Sequence, residues 1–143
     1  MKRLLFTLTL AAATSATPLR AASDDEVNAR KLALELAGAF SNDGFKLRDG
    51  NWGGKFEPGK PALIQVNLYA GNQYWFTVGA TDAAKKVAIT VFDENGKPMT
   101  TDPYADTSVA AAGFAPVNSG PYYIRVEVTE GKPAAFCLIY SYR

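Results

Sequence analysis

The chain has 143 residues, of which 15 are basic and 14 acidic, and it contains one cysteine and no histidine. This balance of charge gives no electrostatic reason to expect a nucleic-acid partner, because nucleic acid is bound by clustered Lys and Arg. The absence of histidine excludes Ser-His-Asp and Cys-His catalysis and His-ligated zinc. We therefore expect one domain without a cofactor, and a protein that is not an enzyme.

The N-terminus has the order of features that is typical of a secretory signal peptide. Two basic residues precede the apolar run 4–13, which is too short to cross a bilayer, and small residues follow it. Cleavage after Ala21 or Ala22 fits best, with Ala16 as the alternative. Residues 1–22 are thus predicted to be a signal peptide, and the mature protein to be periplasmic or extracellular. No later apolar run is long enough for a transmembrane segment.

A helix is predicted at the start of the mature chain. Ser23 and Glu26 match a capping box, and apolar residues then recur at helical spacing on one face as far as Phe40. The residues from 44 to 61 are rich in Gly, Asp and Pro with interspersed aromatics, which indicates a turn-rich connection. We assign residues 23–56 to the helix and this aromatic connection.

The rest of the chain, 57–143, changes to the period-two alternation of half-buried strands. Short strands separated by Gly-containing turns, without intervening helices, predict an all-β fold. The fold class expected is a jelly-roll-like antiparallel β-sandwich with one N-terminal α-helix. Weaker strand candidates are 97–101, 107–114 and 134–142, and Cys137 in the last of these is predicted to be a buried thiol, with an intermolecular disulfide as the alternative. The expected core residues are Ile64, Val66, Leu68, Phe76, Val78, Val87, Ile89, Val91, Ile124 and Val126.

Three segments between residues 60 and 130 carry a resemblance to a known family. They are LYAGNQYWF at 68–76, VAITVFDENG at 87–96 and SGPYYIRV at 119–126. In this order they resemble the bacterial pre-peptidase C-terminal domain family, which implies a jelly-roll-like sandwich of the kind usually attached to secreted enzymes. Many members of that family carry Asp at alternate positions of the strand that corresponds to 87–91. This chain has Lys85, Lys86 and Ala88 around that strand, which weakens the transfer of a calcium role from the family. No catalytic domain is attached, so the resemblance implies a stand-alone relative.

Aromatic residues provide the candidate binding site. Trp75 and Tyr123 are each one position out of phase with an apolar alternating set, so both are expected to point away from the core. We expect them on one side of the domain, as a platform for a glycan or a protein. The alternative is that the helix or the aromatic connection covers them. Trp52 and Tyr104 are further binding candidates.

Four acidic residues in predicted loops are weak calcium candidates, because Ca²⁺ takes six to eight oxygen ligands. They are Asp82, Asp93, Asp102 and Asp106. The alternative for Asp93 is an ordinary hairpin turn, since Asn-Gly follows it.

The function expected is that of a non-enzymatic exported binding or accessory module that recognises a protein or a glycan. One alternative is an inhibitor or immunity-type protein for an exported enzyme, which needs a protruding loop, for which 102–108 is the candidate. The other is a small hydrolase that uses carboxylates, which needs two acids close together in a cleft.

Overall fold

A computed structural model describes residues 23–143, so the predicted signal peptide at 1–22 lies outside the described residues. Within the described part, one helix is followed by nine strands in two antiparallel sheets that share a core. This is the predicted β-sandwich with one N-terminal helix. The elements are α1 (Asp24–Ser41), β1 (Lys46–Leu47), β2 (Trp52–Phe56), β3 (Ala62–Leu68), β4 (Tyr74–Ala80), β5 (Ala84–Phe92), β6 (Asp102–Asp106), β7 (Val109–Phe114), β8 (Gly120–Gly131) and β9 (Ala134–Tyr142).

The strands divide into a large and a small sheet. The large sheet has the order β1-β9-β4-β7-β6, and β2 also pairs with β9. The small sheet has the order β3-β8-β5. Three antiparallel pairs nest along the chain, β6 with β7, β5 with β8, and β4 with β9. Since these pairs alternate between the two sheets, the chain wraps in the manner of a jelly roll.

Alternating side chains fill the space between the sheets. On β3, Ile64, Val66 and Leu68 are buried while Gln65 and Asn67 between them are exposed. The apolar set enters the core because successive side chains of a strand point to opposite faces. The predicted core residues that are buried are Ile64, Val66, Leu68, Phe76, Val78, Val87, Val91, Ile124 and Val126.

Ile89 is the exception among the predicted core residues, because it is only partly buried. It lies on β5, which is an edge strand of the small sheet. Its neighbours on the same face of β5, Val87 and Val91, are buried, so the partial exposure is confined to Ile89, which still packs against the core. The alternating pattern predicted the direction of Ile89 but not its partial exposure.

Strand β9 of the large sheet is buried on both faces. All residues from 134 to 141, on β9, are buried. Phe136 and Leu138 belong to the core between the sheets, whereas Cys137 and Ile139 pack with buried residues of the helix. The sequence predicted a segment that is apolar on both faces and a buried Cys137, and both predictions are confirmed.

Helix α1 covers the outer face of the large sheet. It begins at the predicted cap, where the Ser23 Oγ accepts the backbone N–H of Glu26 at 3.2 Å. Its buried residues are three alanines four positions apart, Ala29, Ala33 and Ala37. Residues four apart lie on one face of a helix, so small side chains line the contact. This narrow alanine face allows the helix to approach the sheet closely.

Gly79 on β4 is the point of closest approach between helix and sheet. A Cβ atom at this position would overlap the Ala29 carbonyl oxygen and lie 2.6 Å from the Ala33 nitrogen and 2.8 Å from the Leu32 Cβ. Two of these three neighbours are helix backbone, which cannot rotate out of the way as a side chain can. Any side chain at Gly79 therefore requires α1 to move away from the sheet.

Two loop assignments made from the sequence are wrong. The 44–61 connection contains β1 and β2, which pair along the outer edge of β9. Backbone pairing there does not need strict alternation, so the pattern did not indicate it. The 102–108 segment is not a protruding loop, because β6 pairs with β7 over most of its length.

The strand predicted at 97–101 is also not formed. Its backbone makes one bridge, between Pro98 and Phe92, and the strand begins only at Asp102. Proline lacks the N–H that a continuous ladder needs. The predicted strand at 107–114 is confirmed as β7.

We predict that Gly79→Ala lowers the free energy of unfolding by about 1–3 kcal/mol, the usual cost of overpacking a tight contact. Urea denaturation measures this change. Gly38→Ala is the matched control, because Gly38 is exposed on α1 and a Cβ there meets nothing within 4 Å. The control should be neutral or stabilising, since Ala is the better helix former. Equal stability of Gly79→Ala and the wild type would contradict the close approach.

We predict that Cys137 reacts slowly with an aromatic disulfide reagent at pH 8. Burial raises the pKa of this thiol, with a smaller opposing effect from Arg30, so little thiolate is present in the folded protein. The rate should be at least about 100-fold lower than in concentrated urea, because reaction needs both ionisation and exposure. A native rate close to the unfolded one would show that the helix does not cover this thiol.

Candidate functional site

Strand register places a row of residues on the outer face of the large sheet. Trp75 on β4 lies opposite Gly113 on β7, and Gly113 lies opposite Asp102 on β6. Directly opposed residues share a face in an antiparallel sheet. An indole, a position without a side chain and a carboxylate are therefore neighbours across three strands.

The Trp75 ring is held in place from two sides. It stacks on Phe40 near the end of α1, with ring centroids 4.2 Å apart and planes 8° from parallel. It also lies over Gly113, where a Cβ would come within 3.0 Å of the indole. Trp75 is consequently half-buried. The helix covers part of the indole, as the alternative interpretation of the sequence expected, and leaves part of it accessible.

The accessible part of Trp75 lines an open groove of about 640 Å³, the Trp75 groove. Its other aromatic side chains include Phe45 and Phe114. The polar residues around them come from the turn after α1, the residue before β4, the segment that leads into β6, the first residue of β6, and the segment after β9. They are Asp43, Gln73, Thr100, Thr101, Asp102 and Arg143.

Arg143 fixes one wall of the Trp75 groove. Its Nε donates to the Gln73 Oε1 at 2.7 Å and its Nη1 donates to the Asp43 carbonyl oxygen at 2.6 Å. The guanidinium also lies 4.6 Å from the centroid of the Phe45 ring. These contacts join the C-terminus to the turn after α1 and the start of β4, so the wall is built before any ligand arrives.

The groove combines an aromatic surface with polar groups of mixed charge. An indole face packs well against the C–H groups of a sugar ring or against another apolar plate. Carboxylate oxygens accept hydrogen bonds from hydroxyls, while threonine hydroxyls both donate and accept. The volume of the groove lies within the range of small-ligand sites, although more of its lining is polar than is usual for them.

The four predicted aromatic candidates do not form one platform. Tyr104 on β6 is exposed and lies opposite Ala111 on β7. It is on the same face of the sheet as Trp75. Tyr123 lies on β8 of the small sheet, on the opposite side of the sandwich. The expectation that Trp75 and Tyr123 share a side is therefore wrong.

Trp52, the remaining aromatic candidate, belongs to neither of these faces. It lies on β2 and stacks on Tyr140, with ring centroids 5.8 Å apart. The alternation rule shows that a side chain points out of phase, but it does not say in which sheet the strand lies.

The weak calcium candidates are not brought together. Asp82 precedes β5 and Asp93 follows it, while Asp102 and Asp106 stand at the two ends of β6. The Asp93 Oδ1 accepts the backbone N–H groups of Asn95 and Lys97, both at 2.9 Å, so it caps a turn. Across residues 23–143, no three or more His, Cys, Asp or Glu side chains group in a way that would hold a metal ion.

Sequence reasoning missed most of the polar residues of the Trp75 groove. Asp43 and Thr101 lie in turns far apart in the chain, and Arg143 is the last residue. Only the pairing of β4 with β7 and β9 brings these segments together. No local spacing in the sequence carries that information.

Comparisons with known proteins identify no family for this chain. No family model matches it, and no curated protein matches it. Among solved structures, a de novo designed double-stranded beta-helix is similar over 64% of this chain and 97% of its own, with 15% sequence identity and a TM-score of 0.39. The resemblance to the pre-peptidase C-terminal domain family therefore stays a prediction. In the described part of the chain, no helix has the length and apolar character needed to span a membrane.

Proposed function

We propose that this protein is a non-enzymatic exported binding module and that it takes a neutral saccharide in the Trp75 groove. The main support for the proposal is the half-buried indole of Trp75, which Phe40 and Gly113 hold in place. This indole lines a groove together with carboxylate, amide and hydroxyl side chains. The proposed export rests on the predicted signal peptide at 1–22, and the proposed location is the periplasm or the cell exterior.

A saccharide fits the Trp75 groove better than a protein does. Protein interfaces of standard size bury about 800 Å² on each partner and are centred on large exposed anchors. Trp75 instead lines a concave site of about 640 Å³, within the usual range for small ligands. Asp43 and Asp102 line the same groove as Arg143, so the groove offers no single charge that selects an ion.

A second candidate function, a hydrolase that uses carboxylates, is favoured by the presence of Asp43 and Asp102 in the same groove. Such an enzyme needs one carboxyl group as an acid and another as a base or nucleophile. A hydrolase would release new reducing ends from an oligosaccharide, and either Asp43→Asn or Asp102→Asn would abolish this release. A protein that only binds the oligosaccharide would release none. The inhibitor alternative loses its supporting feature, because 102–106 is a strand.

We predict that at least one neutral oligosaccharide from a panel of chitotetraose, cellotetraose and maltotetraose changes Trp75 fluorescence in a saturable manner. The Trp52→Phe variant isolates this signal, since the chain has two tryptophans. Asp102→Asn should weaken binding about tenfold, because a neutral amide is a poorer acceptor for sugar hydroxyls. It should leave the thermal midpoint nearly unchanged, because Asp102 is exposed.

Tyr123→Ala is the control for this experiment, because Tyr123 lies on the opposite side of the sandwich. It should bind the oligosaccharide as the parent does. Binding that is lost in Tyr123→Ala but retained in Asp102→Asn would place the site on the small sheet and contradict the proposal. The absence of any saturable change with the whole panel would contradict it as well.

A further inference from the structure

A second cavity, of about 370 Å³, lies at the end of the sandwich where β3 and β9 finish and β4 begins. Four tyrosines line this cavity, called the tyrosine pocket below: Tyr69, Tyr74, Tyr140 and Tyr142, together with Arg48 and two asparagines. Tyr74 and Tyr140 are 4% and 3% exposed and form its inner part. Tyr69 and Tyr142 are 63% and 37% exposed and form its rim.

The Tyr74 hydroxyl is a hydrogen-bond donor whose proton is not taken up by the protein. Its oxygen accepts the backbone N–H of Tyr69 at 2.9 Å and the Asn72 Nδ2 at 3.2 Å. A phenol has two acceptor positions and one proton, so both acceptor positions are filled. Among residues 23–143, no acceptor receives the remaining proton. The proton is therefore available to a ligand, and the two accepted bonds polarise it.

Tyr140 offers a second donor. Burial raises the pKa of its hydroxyl, and the nearby Arg48 only partly opposes this effect. The phenol consequently stays protonated at neutral and mildly alkaline pH. Its ring stacks with that of Trp52, with ring centroids 5.8 Å apart.

Arg48 gives the tyrosine pocket its charge. Its guanidinium carbon lies 5.2 Å from the centroid of the Tyr140 ring, and its backbone N–H donates to the Tyr140 carbonyl oxygen at 3.0 Å. In the described chain, the basic partners of the Asp and Glu ion pairs are residues other than Arg48, namely Lys31, Lys60, Lys86 and Arg125. No acidic residue lines this cavity, whereas two line the Trp75 groove. The pocket thus combines one guanidinium with two buried phenols, and no carboxylate lines it.

We propose that the tyrosine pocket binds an acidic saccharide by the carboxylate of a uronate residue. The forked donors of a guanidinium match the two oxygens of a carboxylate, and Arg48 is held beside the buried phenols by its contact with Tyr140. The exposed rings of Tyr69 and Tyr142 supply flat surfaces for the sugar, and the asparagine amides serve its hydroxyls. The two cavities share Tyr74 as a lining residue, but they differ in their charged groups, because Arg48 lines only the tyrosine pocket and Asp102 only the Trp75 groove.

The test is a titration of the Trp75→Phe variant with sodium glucuronate, followed by the fluorescence of Trp52. Trp52 stacks on Tyr140 and does not line the Trp75 groove, so its fluorescence follows the tyrosine pocket even if no ligand binds in the Trp75 groove. Glucuronate should bind saturably and more weakly as ionic strength rises. Arg48→Gln should reduce the affinity at least about tenfold, and Arg48→Lys should restore part of it, since it keeps the charge but not the fork.

Arg125→Gln is the matched control, because Arg125 also lies over an aromatic ring, that of Phe92 at 5.1 Å, but outside both cavities. It should bind glucuronate as the parent does. Thermal melts of all variants separate loss of binding from loss of folding.

Two further titrations distinguish the parts of the proposal. Glucose binding as tightly as glucuronate would overturn the role of the carboxylate, and acetate binding as tightly would overturn the role of the sugar. Undiminished binding by a folded Arg48→Gln variant, or no saturable binding of glucuronate, would overturn the proposal as a whole.

Discussion

The close approach of α1 to the backbone of β4 at Gly79 is the constraint on which the rest of the structure depends. It is possible only because β4 has no side chain there and the helix presents alanines. The helix can then bury the outer face of the large sheet, so that β4 and β9 are covered on both sides. A chain with a single cysteine cannot rely on an internal disulfide, so this two-sided burial is a main source of its stability.

The packing of α1 on the large sheet determines which parts of its outer face remain accessible. The helix occupies the middle of the outer face and ends beside Trp75, where Phe40 stacks on the indole. The edge strand β6 stays exposed, and two cavities that differ in charge lie at the ends of the strands. The Trp75 groove mixes Asp43 and Asp102 with Arg143, while the tyrosine pocket holds Arg48 without an acid. One scaffold thus presents two cavities of different charge.

Local signals in the sequence predicted much of the fold. The capping box at Ser23 and the alternating strands needed no tertiary information, because each depends on neighbouring residues. The candidate site was predicted only in part: the phase of Trp75 showed that it points outward, but not that Tyr123 lies in the other sheet. Arg48 beside Tyr140 and Arg143 beside Gln73 join segments that are distant in sequence. Such contacts follow from strand register, which no local spacing reveals.

The central claim is that ligands bind at the strand ends of the large sheet and not on an open sheet face. Backbone amide chemical shifts, followed by NMR during a titration with a bound oligosaccharide, test it most directly because every face is observed at once. The account predicts that the largest changes lie at Trp75, Thr101 and Gly113, around the groove. Changes centred on the outer face of the small sheet, at Gln65, Tyr123 and Phe92, would contradict it.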